Sequence, residues 1–348
     1  MLGLEVVYPN KADVSKPTIE YAPRHYLCSF TYPCSIVFVH GIRGHPRNTW
    51  TKSIPPARPQ TRESITQRFS IKRQSKRAEE VAVANVCWPL DLLPNAIPDA
   101  RISFYGYDAE ISVLFRKTAN SSVFAVAQDL VTRLEMLRDA SDTANVPIIF
   151  VAHSLGGIVV KDALKFSEDQ LGFQEHLHSV FRCAFGVVFF GTPHRGSDLA
   201  SLGSTAARIA SLWMAESDFG LLKTLETGSV ELQRIADAFS RMLPKSGKGL
   251  RIYSFQEGLP LTGIKPFGKV VEDYSSVIGD AFEGKAFIHA NHMEMCRFSD
   301  TNDNGYMLVA SVLRRWTREA ISQSMRDHPA PGGENLSGVG GQVQHQLE

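Results

Sequence analysis

The segment that most constrains this chain reads as a strand, a sharp turn and a helix in direct succession. The apolar run PIIFVA, which ends at Ala152, predicts a buried strand, and IVVKDALKF after Gly157 predicts a helix. The turn between them reads His-Ser-Leu-Gly, and the small residues Ala152 and Gly156 let the backbone cross tightly on either side of Ser154. Such a turn lifts the serine hydroxyl off the strand end and sets it beside a helix N-terminus, which makes Ser154 a candidate nucleophile.

The Ser154 turn departs at one position from the pattern Gly-x-Ser-x-Gly that is typical of a nucleophile elbow. Ala152 stands where the first glycine is expected, and alanine is still small enough for the turn. A tight turn that merely exposes a serine is the alternative interpretation, but the flanking strand and helix favour the nucleophile.

Further apolar runs recur along the chain: SIVFVH at 35–40, RISFY at 101–105, GVVFF at 186–190, RIYSF at 251–255 and KAFIH at 285–289. Their β-branched and aromatic residues are nearly continuous, as in parallel strands that are buried on both faces. Helical patterns separate these runs. One carries an apolar stripe from Val123 to Leu137, and another follows Asp303. The alternation predicts the α/β class, with a mostly parallel, doubly wound sheet.

A serine is a poor nucleophile unless a base lies within hydrogen-bond reach, and at a site of this kind the base follows the last strand. The chain offers His289 and His292 there. His289 falls inside the strand pattern and is interpreted as a half-buried structural residue. His292 falls just after the strand, in a loop, and is therefore the candidate base.

An acid must orient the imidazole of the base and stabilise its positive form. It should lie between Ser154 and His292 in sequence, at the end of the preceding strand. Glu257 stands at the end of RIYSFQ and is the first choice, whereas Glu272 and Asp273 are rivals that also suit an exposed turn.

Two backbone N–H groups are expected to hold the oxyanion that forms during acyl transfer. One is the amide of Leu155, directly after the candidate nucleophile, and the other is the amide of Ile42, in the glycine-containing loop after an early strand. His40 begins that loop. It precedes Ser154 in sequence and follows an early strand, whereas the base is expected after the last strand. We therefore interpret His40 as structural.

The composition limits the class of function. The chain has 348 residues, with 37 Lys+Arg against 36 Asp+Glu and a formal net charge of +1, which argues against a nucleic-acid binder. Five cysteines are scattered without metal-ligand spacing, so we expect a reducing compartment, no metal site and no cofactor. We expect neither a signal peptide nor a transmembrane helix, and place the protein inside the cell, in the cytoplasm or peripheral to a membrane.

Two segments interrupt the alternation of strands and helices. Residues from about 52 to 80 are basic, which indicates a solvated insertion or a patch that meets anionic lipid. Residues from about 196 to 247 are helical in character and predict a helical cap, although core packing also explains their apolar side chains. We therefore expect an N-terminal arm over 1–28, one enlarged α/β domain over 29–325, and a flexible tail or linker over 326–348.

Taken together, several motifs resemble α/β-hydrolases of the lipase-like group, and more narrowly the serine-active-site-containing and GPI-inositol-deacylase-like hydrolases. The resemblance covers about residues 36–303 and rests on VFVHGIRGHPRNTW, WPLDLLPNAIPDARISFYGYDA, FVAHSLGGIVVKDAL, VVFFGTPHRGSDLA and NHMEMCRFSDTND. It implies an α/β-hydrolase fold with Ser154 as nucleophile, His292 as base and an acid from 257–273. It also implies hydrolysis of a carboxylic ester, of the acyl-lipid or lipid-like kind. Simpler lipases carry an Asp shortly before the segment that matches Val270 and Val271, and this chain has Gly268 near that place. The resemblance therefore leaves open which residue is the acid.

The chain is also similar to the hydrolase domain at the head of some fungal NACHT-type (NOD-like) receptors. That similarity implies an effector module, with the tail leading to a further receptor domain. A second hypothesis follows from it: a signalling or ligand-binding module on a hydrolase fold, in which catalysis is secondary or vestigial. The residues do not determine the oligomeric state.

Overall fold

Seven strands form one central sheet in the computed structural model, which describes residues 2–9, 32–55, 84–109, 123–194, 219–243, 249–261 and 268–327. The strands in chain order are β1 (Gly3–Tyr8), β2 (Cys34–Val39), β3 (Thr51–Ile54), β4 (Ala84–Cys87), β5 (Ala100–Gly106), β6 (Ile148–His153), β7 (Ala184–Phe190), β8 (Arg251–Glu257) and β9 (Glu283–Ile288). The central sheet has the order β1-β5-β2-β6-β7-β8-β9, and β3 and β4 form a separate two-stranded sheet. Only β1 of the central sheet runs antiparallel to its neighbour.

Helices connect these strands and cover both faces of the sheet. They are α1 (Trp88–Asp91), α2 (Leu93–Ala96), α3 (Val123–Ala140), α4 (Gly156–Glu168), α5 (Glu175–Cys183), α6 (Phe219–Met242) and α7 (Asn304–Asp327). The Asp303 carboxylate accepts the backbone N–H of Gly305 at 2.9 Å, so Asp303 caps the N-terminus of α7.

Alternate residues of the central strands enter two hydrophobic cores. Phe150 of β6 and Phe189 of β7 point to the core that α3, α4, α5 and α6 complete. Val151 and Phe190 point to the opposite core, beside α7. Because both faces are buried, β2 and β6 need apolar residues throughout, which explains their continuous apolar runs.

The predicted class is confirmed: the molecule is an α/β protein with a mostly parallel, doubly wound sheet. The strand order, with its antiparallel first strand, is that of the α/β-hydrolase fold. All six strands that the apolar runs predict are present, and no bound is shifted by more than two residues.

The predicted N-terminal arm over 1–28 needs correction at its start. Residues Gly3–Tyr8 form β1, which pairs with β5 and closes one edge of the central sheet. The strand is six residues long and half-buried, so its sequence lacks the continuous apolar run that marks the inner strands. Its partner β5 lies nearly a hundred positions away, which no local pattern indicates. Residues 10–31 lie outside the described part of the chain.

The segment 196–247, for which a helical cap is predicted, contains α6. The C-terminal half of α6 buries Leu232, Ile235 and Phe239 in the core beside α4. Their burial agrees with the alternative interpretation, in which core packing explains the apolar side chains of this segment. The role of the whole segment as a cap stays a prediction, because residues 195–218 and 244–248 lie outside the described residues.

The sheet topology determines where the functional loops meet. From β2 the chain goes to β5 on one side and then crosses to β6 on the other side of β2. Loops that follow adjacent strands then leave in opposite directions and open a crevice at the carboxyl ends of the strands. The loop after β2, which contains Ile42, and the turn after β6, which contains Ser154, border this crevice.

Candidate active site

Ser154 occupies a strained turn at the carboxyl end of β6. Its φ is +55°, in the left-handed region that non-glycine residues seldom adopt. The Ser154 N–H donates to the carbonyl of Phe190 on β7 at 2.8 Å, and Thr192 Oγ1 donates to the Ser154 carbonyl at 3.0 Å. Strand β7 and the loop after it thus fix both backbone polar groups of the serine and hold the turn in place.

The helix after Ser154 approaches β2 so closely that only glycine fits at its first position. A Cβ on Gly156 would lie 2.3 Å from the carbonyl oxygen of His40 and 2.7 Å from that of Val39. The absent side chain lets the N-terminus of α4 sit against the end of β2. This contact explains why the turn requires Gly156, whereas Ala152 fits in the sheet as a fully buried strand residue.

His292 lies between Ser154 and Glu257, and all three side chains are buried. Its Nε2 is 3.1 Å from Ser154 Oγ, and its Nδ1 is 2.8 Å from Glu257 Oε1. A carboxylate accepts but does not donate, so Nδ1 carries the proton and Nε2 presents its lone pair to the serine hydroxyl. The structure therefore brings three of the sequence-derived site residues into one line of hydrogen bonds.

Glu257 is held by more than the histidine. Its Oε2 accepts the backbone N–H of Val270, and its Oε1 accepts that of Val271, each at 2.9 Å. The carboxylate is fixed at both oxygens, and the loop after β8 is folded around it. Asp273 instead forms an ion pair with Lys269 at 2.6 Å and keeps 52% of its side chain exposed. The backbone carbonyl of Glu272 accepts the N–H groups of Ser275 and Ser276, at 2.9 and 3.0 Å.

His153 precedes the serine and contacts the candidate base, a role that the sequence analysis did not predict. Its Nε2 donates to the backbone carbonyl of His292 at 3.0 Å, and the two rings lie 5.0 Å apart. Burial lowers the pKa of His153 to about 3, so the ring is neutral and acts as an uncharged donor. The sequence shows that His153 lies next to Ser154 in the strand–turn motif. It does not show the contact with His292, because the two histidines are 139 residues apart in sequence.

The other two histidines considered from sequence do not reach the serine. His40 stacks on Tyr107 with ring centroids 4.4 Å apart, and its Nδ1 donates to the Gly41 carbonyl at 2.9 Å. Burial lowers the pKa of His40 to about 4. His289 directly follows β9 and is exposed, rather than half-buried within the strand.

The two expected oxyanion donors flank Ser154. Leu155 follows it in the chain at the start of α4, and Ile42 lies in the loop after β2; both are buried. In that loop the Arg43 amide donates to Ala109 and the Gly44 amide donates to Gly41. Within the described part of the chain, no backbone carbonyl accepts the amide of Ile42 or that of Leu155.

A cavity of about 190 Å³ opens at the serine. Its wall combines the site residues Ser154 and His292 with polar side chains from the loop after β2 and the loop after β9, among them Arg43, Asn48 and Arg297. Typical small-molecule sites are larger, about 300–1,000 Å³. The cavity therefore accommodates the reacting group of a substrate and a short chain.

The described residues contain no group of three or more His, Cys, Asp or Glu side chains that could hold a metal ion. In the same ranges, no helix has both the length and the apolar character needed to cross a bilayer.

No family model matches the chain. Protein SERAC1 of Bos taurus is 24% identical over 281 residues, which cover 78% of this chain and 37% of that protein. Protein SERAC1 of Danio rerio is 26% identical over 284 residues, which cover 78% of this chain and 38% of that protein. The chain thus spans about two fifths of the length of these relatives.

The solved structures that resemble the chain include lipases and esterases. Lipase BlEst2 of Bacillus licheniformis has a TM-score of 0.47 and 16% identity, covering 86% of this chain and 96% of that one. An esterase of Rhizomucor miehei has a TM-score of 0.46 and 10% identity, covering 86% and 78%. Since both TM-scores are below 0.5, the fold assignment rests on the strand order above. None of these similarities concerns a fungal receptor, so that resemblance stays a prediction.

Proposed function

We propose that this protein is a serine hydrolase that cleaves carboxylic esters through an acyl-enzyme formed on Ser154. The observation that carries the proposal is the buried chain of hydrogen bonds from Ser154 Oγ through His292 to Glu257. A nucleophile, a base and an orienting carboxylate in this order are what acyl transfer to a serine requires.

In the acylation step, His292 Nε2 accepts the hydroxyl proton of Ser154 as Oγ attacks the ester carbonyl. Glu257 keeps the Nδ1 proton in place and stabilises the imidazolium that forms. The amides of Leu155 and Ile42 donate to the oxyanion of the tetrahedral intermediate. Imidazolium then returns the proton to the leaving alcohol, and the acyl group stays on Oγ.

In the deacylation step, His292 accepts a proton from water, which attacks the acyl-enzyme carbonyl. Collapse of the second tetrahedral intermediate releases the carboxylic acid and restores the Ser154 hydroxyl. These steps use side chains and backbone amides of this chain alone. If an alcohol replaces water, the same intermediate leads to acyl transfer.

The substrate is an ester with an accessible carbonyl, of the acyl-lipid or lipid-like kind that the motif resemblance implies. The 190 Å³ cavity suits a short acyl chain, which makes short esters the first substrates to assay.

The proposal is tested with p-nitrophenyl acetate and butyrate and with a fluorophosphonate probe that labels activated serines. We expect turnover and labelling of the wild-type chain. Ser154→Ala removes the nucleophile, so we expect kcat to fall by at least about three orders of magnitude and labelling to disappear. Ser167→Ala, on the helix α4 that follows the Ser154 turn and outside the cavity wall, is the matched control for labelling.

Unchanged hydrolysis by a folded Ser154→Ala variant would rule out this mechanism. A folded wild-type chain that neither turns over esters nor reacts with the probe would favour the second hypothesis, a ligand-binding or signalling module.

A further inference from the structure

The candidate base His292 is held from the ends of three neighbouring strands. Glu257, at the end of β8, lies 2.8 Å from Nδ1 of its ring. Gly191, directly after β7, leaves room for the ring, because a Cβ there would lie 3.0 Å from Nδ1 and 3.2 Å from Cε1. His153, the last residue of β6, donates to the carbonyl oxygen of His292 at 3.0 Å. The first two contacts act on the imidazole, whereas the third acts on the main chain.

The main chain around His292 is otherwise anchored only at some distance. On its N-terminal side, the carbonyl of Ala290 accepts two backbone N–H groups from the loop after β8, each at 3.1 Å. On its C-terminal side, Trp88 Nε1 donates to the carbonyl of Cys296 at 2.9 Å. Between these points, and among the described residues, the bond from His153 is the one hydrogen bond that another element makes to the main chain.

This arrangement ties the base directly to the nucleophile. His153 and Ser154 are consecutive residues, and both contact His292: the first at its carbonyl oxygen, the second at ring Nε2 at 3.1 Å. Because strand β7 fixes the turn at Ser154, a shift of the His292 main chain would stretch the hydrogen bond between Nε2 and Oγ. Proton transfer needs these atoms within hydrogen-bond reach, and a misplacement of about 1 Å can lower the rate by roughly a hundredfold.

The donor that holds the main chain is an uncharged ring. Burial lowers the pKa of His153 to about 3, and the charge that His292 can carry lowers it further. The two ring centroids are 5.0 Å apart, so a cation at position 153 would repel the imidazolium that forms on His292 during acyl transfer. A neutral donor positions the base without opposing its protonation.

We propose that His153 is a positioning residue for His292: its Nε2–H holds the His292 carbonyl and thereby keeps the base within reach of Ser154 Oγ. His153 exchanges no proton with the substrate and acts only through the base. The inference rests on the proposed function, because it assigns a further residue to the same reaction.

The test compares His153→Leu, His153→Asn and His153→Gln. Leucine removes the donor. The amide nitrogen of glutamine reaches about as far from Cα as imidazole Nε2, whereas that of asparagine reaches only about as far as Nδ1. Glutamine should therefore keep the hydrogen bond to the His292 carbonyl, and asparagine should lose it. His289→Gln, at an exposed histidine just after β9, is the matched control.

With p-nitrophenyl butyrate, we expect His153→Leu and His153→Asn to lower kcat by roughly ten- to a hundred-fold and to change KM by less than about twofold. The rate of fluorophosphonate labelling should fall in parallel, whereas its end point should stay the same, because Ser154 is still present. His153→Gln should recover most of both rates. A residue that only supported folding would lower the labelled end point, and glutamine and asparagine would not differ in this way.

Hydrogen–deuterium exchange tests the anchor without any ester. We expect the amides of residues 289–297 to exchange faster in His153→Leu and His153→Asn than in the wild type, and His153→Gln to restore their protection. The amides of α3 are the internal reference. If the wild-type chain cleaves no ester and exchange still follows this pattern, the proposed function fails while His153 is supported as the anchor of the loop.

Wild-type kcat in folded His153→Leu would overturn the proposal, as would a loss of kcat that folded His153→Gln does not recover. Unchanged exchange of residues 289–297 in all three variants would also overturn it. Because His153 lines the cavity, a raised KM with wild-type kcat would show that it acts on substrate binding, and the positioning role would then be wrong.

Discussion

At the scale of single residues, Glu257 illustrates how a site acid is selected by its surroundings. Three N–H groups, from Val270, Val271 and His292, converge on its two oxygens. The carboxylate is thereby immobile and aimed at the imidazole, whereas Asp273 faces solvent beside Lys269. A fixed acceptor holds the base in one tautomer, which a mobile carboxylate does less well.

Glu257→Gln is the prediction that belongs to this scale. Glutamine removes the negative charge that stabilises the imidazolium, so we expect kcat for short esters to fall by roughly three to four orders of magnitude. Asp273→Asn should change kcat by less than about twofold, because an exposed ion pair contributes little. Steady-state kinetics on both variants gives the comparison.

A melting curve accompanies that measurement, since the glutamine NH₂ of the variant places a donor where Glu257 accepts the N–H of Val270 or Val271, and one of these hydrogen bonds is then lost. If Asp273→Asn loses activity and folded Glu257→Gln keeps it, the acid has been assigned to the wrong residue.

At the scale of elements, the hairpin of β3 and β4 connects the basic segment to the candidate active site. The two strands pair from Thr51 with Cys87 to Ile54 with Ala84, and residues 56–83 between them lie outside the described residues. Lys52 on β3 pairs with Glu294, which also binds Arg297 at 2.9 Å in the cavity wall. The basic segment is therefore attached beside the opening at Ser154.

We predict that the basic segment draws the protein to anionic membranes. Sedimentation with phosphatidylserine-containing vesicles at low salt should show binding that weakens as salt rises, because exposed charges are screened. Deletion of residues 58–77 should abolish this binding. The intact chain on neutral vesicles is the control.

Binding that is indifferent to salt, or that survives the deletion, would contradict an electrostatic role for the segment.

At the scale of the whole molecule, α4 lies between the sheet and α6 and carries a buried lysine. Lys161 is 1% exposed, and its Nζ is 5.7 Å from the ring centroid of Phe189 and 5.5 Å from that of Phe239. Burial lowers the pKa of Lys161 to about 7, against a weaker opposing attraction by Glu283. The folded state therefore favours the neutral amine.

This shift makes global stability depend on pH. Between about pH 7 and 10.5 the unfolded chain still binds the proton that the folded chain has released, so the free energy of unfolding rises with pH. Below pH 7 both states are protonated and the full penalty of the buried charge remains. We predict that Lys161→Met raises the free energy of unfolding most at and below pH 7, with the gain shrinking toward pH 10.

Urea unfolding of both chains across that pH range measures the effect. Lys165→Met is the matched control, since Lys165 is on the same helix and pairs at the surface with Glu168 at 3.2 Å. If the free energy of unfolding of the wild type and that of Lys161→Met change with pH in the same way, Lys161 does not titrate as predicted.

The inner strands and the elbow at Ser154 could be predicted from the sequence, and so could His292 as the candidate base. These features are local: strands buried on both faces need unbroken apolar runs, and a strained turn needs small neighbours such as Gly156. A histidine just beyond the last strand can be recognised from its position alone. The α/β class follows from the alternation of these elements.

Which acid faces His292 depends on tertiary contacts, since Glu257, Glu272 and Asp273 all carry a carboxylate that could orient an imidazole. The selection depends on the amides of Val270 and Val271, which the folded loop supplies. The pairing of β1 and the contact of His153 with His292 likewise join residues that are far apart in sequence. Such contacts arise from packing between elements, and no local propensity encodes the partner of a side chain.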